Sequence, residues 1–128
     1  MQLPRATRAT LASLAFSLAP LPALAGGFAC ELTFQCQGNM GCSEVSYQPY
    51  IDTDWGQIVM KDFGPEIRLT QFPADKDSDA WKLYANLPDD GLLVAVIFDD
   101  SSAVFTSYLR QGGAARVVST YGTCEPRG

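Results

Sequence analysis

From residue 28 onward the chain is a succession of short runs in which apolar and polar positions alternate, separated by clusters of Gly, Pro, Asn, Asp and Ser. In the clearest run, Phe28 to Cys36, a period of two puts Phe28, Cys30, Leu32, Phe34 and Cys36 on one side of a strand. Ala29, Glu31, Thr33 and Gln35 fall on the other. The same pattern predicts strands over 45–51, 58–60, 66–72, 80–85, 92–98, 103–110 and 116–124. Pro49 has no N–H to give a ladder, so its strand belongs at an edge or carries a bulge. Leu92 to Phe98 is apolar throughout, the mark of a central strand buried on both faces. Asp89-Asp90-Gly91 points to a primed hairpin turn. No segment carries the longer period of a helix. The expectation is an all-β meander of seven or eight antiparallel strands forming a small closed or nearly closed barrel, with a sandwich as the alternative.

The first 25 residues follow a different rule. Arg5 and Arg8 precede an apolar run, Leu11 to Leu18, and Ala23-Leu24-Ala25 supplies small residues where a signal peptidase reads. The segment reads as a signal peptide, cleaved after Ala25, leaving one β domain over 26–128. The apolar run is too short for a span of about 20 residues, so no membrane insertion is expected after cleavage. The destination is periplasmic or secreted.

Export changes the meaning of the four cysteines, which become two disulfides rather than a metal site. Cys30 and Cys36 would lie about 20 Å apart on one strand, beyond the roughly 7 Å a bridge allows. Two pairings remain. The favoured one joins Cys36 to Cys42 across a glycine-rich loop and Cys30 to Cys124 between first and last strands. The alternative joins Cys30 to Cys42 and Cys36 to Cys124.

The chain has nine basic and fourteen acidic residues, a net charge of −5 that becomes −7 once Arg5 and Arg8 leave with the signal. No cationic patch is present to neutralise phosphates, so nucleic acid is not an expected partner; a basic protein is. There is no histidine, which removes the Ser-His-Asp and Cys-His systems and the commonest acid or base near neutral pH. With its thiols in disulfides, the chain keeps only carboxylate chemistry. Most of those carboxylates lie in turns, where they solubilise loops. The expectation is a protein that is not an enzyme, has no cofactor and is a monomer. Trp55, placed in a turn with Asp52 and Asp54, is the leading candidate for an interaction site. Asp75, Asp77 and Asp79 match the opening of a calcium loop. Ala80 and Asn86 stand where that loop needs glycine and glutamate, so a solvated acidic loop is the better reading.

The spacing Cys30-x5-Cys36-x5-Cys42, the Asp89-Asp90-Gly91 turn with its following apolar strand, and the ending Thr120-Tyr121-Gly122-Thr123-Cys124-Glu125 resemble a group of small secreted proteins from alphaproteobacteria. That resemblance implies no activity. More remotely, an exported barrel with its first and last strands joined by a disulfide is similar to the periplasmic inhibitors of C-type lysozyme. Their Trp-x-Lys-Gly type of motif is absent, Trp81-Lys82 being followed by Leu83, so no inhibitory residue carries over. The reading is of a binding or inhibitor-like module for a basic partner. A small-ligand carrier using the barrel interior and a carboxylate hydrolase are the alternatives.

Overall fold

The computed structural model describes residues 26–62, 64–73 and 77–127, excluding the Trp55 side chain. Among the described residues nine antiparallel strands follow one another: β1 (Gly27–Gln37), β2 (Cys42–Tyr47), β3 (Tyr50–Asp52), β4 (Ile58–Lys61), β5 (Ile67–Gln71), β6 (Trp81–Leu87), β7 (Gly91–Ile97), β8 (Ser102–Gln111) and β9 (Ala114–Arg127). One 3-10 turn, Asp54–Gly56, joins β3 to β4. Pairing runs in chain order from β3 to β9, and β9 returns to β1 along nearly its whole length. That closure makes an eight-stranded barrel, with β2 as an additional strand. The signal peptide expected over residues 1–25 lies outside the described residues.

β2 and β3 share one edge of β1. β3 faces its start, Phe28 opposite Ile51, and β2 faces its second half, ending with Cys36 opposite Cys42. Residues 45–51, expected as a single strand, are therefore broken at Gln48-Pro49. The missing proline N–H is the cause, and the break costs little because the Pro49 carbonyl still accepts the Cys30 N–H at 2.9 Å. Pro49 itself is buried, as is Ile51.

Both disulfides join residues that face each other across a strand pair, Cys30 with Cys124 and Cys36 with Cys42. The Cys30 and Cys124 amides point away from each other, to the carbonyls of Pro49 and Ser101. This is the closer, non-hydrogen-bonded kind of pair, which brings two Cβ atoms within bridging reach. The favoured pairing is the one formed.

Two expectations about faces need correction. Between Leu32 and Phe34, β1 advances two residues while β9 advances only from Gly122 to Tyr121, so Thr33 forms a bulge. A bulge reverses the alternation beyond it. Phe34 and Cys36 therefore leave the inner face that Phe28, Cys30 and Leu32 occupy, and Phe34 is 43% exposed. Gly122 is the residue that lets this happen: a Cβ there would stand 2.0 Å from the Glu31 carbonyl oxygen. Gly27 plays a like part at the barrel lip, with φ +107° and no room for a Cβ, which would stand 1.9 Å from the Ile51 carbonyl oxygen. The second correction concerns β7. Only Leu93, Ala95 and Ile97 are buried; Leu92, Val94 and Val96 are half-exposed on the outer wall. A barrel wall has one inside, and a continuous apolar run cannot bury both of its faces there.

The inside is filled. Leu32, Ile51, Met60, Leu83, Leu93 and Phe105 are fully buried, each contributing roughly 1.5–3 kcal/mol through burial. The β6–β7 connection turns at Asp89 and Asp90, both with positive φ, closed by the Gly91 N–H on the Pro88 carbonyl at 3.2 Å. The primed turn is thus present, centred one residue earlier than Asp90-Gly91 suggested.

Candidate functional site

Antiparallel closure sorts the loops onto two ends. The first end collects the lip of β1, the β3–β4 turn, the approach to β6, the β7–β8 turn and the end of β9. It therefore gathers Asp52, Asp54, Asp77, Asp79, Asp99, Asp100 and Glu125. The other end carries the 38–41 loop, the β4–β5 loop and the β6–β7 and β8–β9 turns, with Arg68, Arg110 and Arg116 among its charges.

At the first end the core stops short of the rim and leaves a pocket of about 240 Å³. Its floor is apolar: Phe28 and Trp81 meet edge to face with centroids 5.3 Å apart, beside Ile97 and the Cys124 half of the seam disulfide. Asp79 and Asp99 stand on its wall with Thr53 and Ser101, and Phe98, 44% exposed, forms part of the rim. Trp81 arrives here because it begins β6 facing inward; Asp99 arrives because the β7–β8 turn follows Ile97.

Two other acidic groups at this end, Asp52 and Asp100, have structural work. Asp52 accepts the Asp54 N–H at 2.9 Å and pairs with the Lys61 ammonium at 3.2 Å. The backbone bond first, then Lys61, holds its carboxyl below the ordinary aspartate value of 3.8. Lys61 is in turn held above 10.5, chiefly by its hydrogen bond to Asp52. Asp100 accepts the Ser102 hydroxyl at 2.6 Å and the Ser102 N–H at 2.9 Å, and its carboxyl is lowered by these two bonds. Both carboxylates fasten turns.

The trio singled out from the sequence is thus redistributed. Asp52 is committed to Lys61 and to its own turn, Asp54 is exposed on the 3-10 turn, and neither lines the pocket; from that loop Thr53 does. The Trp55 side chain lies outside the described part. Of the acidic loop, Asp75 lies outside the described residues, Asp77 is exposed, and Asp79 lines the pocket. Among the described residues no three carboxylates or cysteines converge on a point where a metal ion could be held. Phe28, Phe98, Asp99 and Ser101 were not anticipated. The one local signal was Phe98-Asp99-Asp100, an aromatic entering an acidic turn.

The opposite end is built differently. Inside it a polar chain runs from Thr120 through Gln35 to Gln37, with hydrogen bonds of 3.3 Å, and on to Arg116, whose guanidinium donates to Gln37 and Gln111. Beside it a wider hollow of about 780 Å³ opens where β5 and β6 part, lined by Ile67, Leu87 and Leu109 and by the charged residues Glu66, Arg68, Asp89 and Arg110.

Fold and site together define a small disulfide-closed antiparallel barrel with an acidic mouth over an apolar floor. No protein-family model, curated protein or solved structure matches the chain.

Proposed function

We propose that this protein is an exported, non-enzymatic binding module, inhibitor-like in kind, whose acidic mouth engages a basic protein partner. The observation that carries the proposal is Asp79 and Asp99 flanking the Phe28 and Trp81 floor at the end where the acidic loops gather. A lysine or arginine side chain has the matching form, an apolar stem with a cationic head. The surrounding negative field would steer such a partner in and weaken with salt. Export is supported by the leader-like first 25 residues and by two disulfides, which suit an oxidising compartment. The lysozyme-inhibitor resemblance makes a C-type lysozyme the first partner to try.

The test is calorimetric titration of the oxidised protein with a C-type lysozyme and with an acidic protein of similar size, at low and at physiological ionic strength. Salt-sensitive binding of the basic protein alone, weakened by Asp79→Asn with Asp99→Asn and untouched by Glu66→Gln, supports the reading. Equal binding of both proteins would refute it. The carrier reading has one observation in its favour, the hollow between β5 and β6. Its ligand would sit at that end, because the middle of the barrel is filled.

A further inference from the structure

Over three successive cross-strand rows the outer wall of β8 and β9 is uncharged, where the outside of an antiparallel barrel is ordinarily polar; Arg110 opposite Ala115 begins the next row. Val104 lies opposite Tyr121, Thr106 opposite Ser119, and Tyr108 opposite Val117. Tyr108, Tyr121 and Val117 are 46%, 40% and 39% exposed, and the middle row is closed on itself by a Thr106 to Ser119 hydroxyl contact of 3.1 Å. On one flank Phe34 continues the first row; on the other stand the half-exposed Leu92, Val94 and Val96. This is the outward half of the apolar run that reads, in sequence, as buried on both faces.

We propose that this wall is covered by a second copy of the same chain, in a weak isologous dimer whose two-fold axis runs between β8 and β9, parallel to the strands. The pattern is self-complementary under that operation. It sets Tyr121 of one copy over Val104 of the other and Tyr108 over Val117, so large meets small in both outer rows and the hydroxyl rows meet in the middle. Charge favours the same arrangement. The exported domain carries a net −7, so most other faces would bring like charges together; the three rows bring none, and Arg110 in the next row would lie over Ala115 of the other copy. A convex barrel wall touches over little more than two strands and their flanks, near the lower end of specific interfaces, below roughly 1,200 Å² in total. The dimer is therefore concentration-dependent, in contrast to the monomer expected from sequence.

Sedimentation velocity of the oxidised, exported chain over a concentration series tests this. The weight-average mass should climb from monomer towards dimer and should not fall back in high salt. Val104→Lys and Tyr121→Glu should each weaken association at least tenfold with an unchanged melting curve. Mixing the two variants should restore it, because the lysine of one copy then faces the glutamate of the other. A chain that stays monomeric at the highest concentration reached, or a dimer indifferent to both substitutions, overturns the proposal.

Discussion

The two ends of the barrel are made from the same kind of strand and differ in what fills them. At the first end the core stops at an apolar floor, Phe28 against Trp81, and carboxylates ring the opening. At the second, glutamines and Arg116 fill the interior with hydrogen bonds, and β5 and β6 part. Each end also has its own disulfide. Cys30–Cys124 joins residues 94 apart and locks the seam near the acidic mouth, whereas Cys36–Cys42 joins residues 6 apart and staples β2 to β1. The difference teaches that one end leaves an apolar pocket beside its long-range disulfide, while the other is filled by side-chain hydrogen bonds that tie β1 to β9.

Removing the disulfides should break this comparison most visibly. In the chain-entropy account the Cys30–Cys124 bridge contributes about 4.7 kcal/mol and Cys36–Cys42 about 2.4 kcal/mol. Paired Cys→Ser substitutions compared by urea unfolding should keep that order; equal losses would place the two ends on the same footing. Gly122→Ala comes next. It forces apart β1 and β9 at the bulge and should cost about 2 kcal/mol or more, read by the same unfolding curves. A smaller effect is expected at the mouth. Phe98→Ala, at an exposed rim position, should weaken binding of the basic partner roughly tenfold with little change in melting, while Arg110→Gln at the far end should leave binding alone. The smallest effect is in acid. Because the Asp52 and Asp100 carboxyls are lowered in the folded chain, their contribution is present at neutral pH and is lost as pH falls through values below 3.8. Asp52→Asn should therefore lower the melting temperature slightly at about pH 7, and the difference from the parent chain should shrink as pH falls below 3.8.

Much of the fold was legible because period-two alternation and turn chemistry are local signals. Most of the strands, the primed turn and the favoured disulfide pairing followed from them, though the single strand expected over 45–51 is broken at Pro49. What misled was alternation carried across Thr33: Phe34 and Cys36 are apolar enough to suit either face, and the residue that demands the bulge, Gly122, lies on the last strand. Leu92 to Phe98 misled similarly, since an apolar run states what could be buried and not how many faces the architecture covers. The mouth was legible only as acidic turns. Which carboxylates are free depends on partners such as Lys61 and Ser102, and which converge depends on barrel closure, so Asp52 was overvalued and Asp99 passed over.

The lip of β1 meets the end of β9 directly, the Gly26 N–H bonding the Arg127 carbonyl at 3.0 Å. Anything fused to either terminus of this domain emerges beside the acidic mouth. A circular permutant, with 26 and 127 linked and new ends opened in the Asp89-Asp90 turn, would carry its tag at the far end and leave the mouth unobstructed.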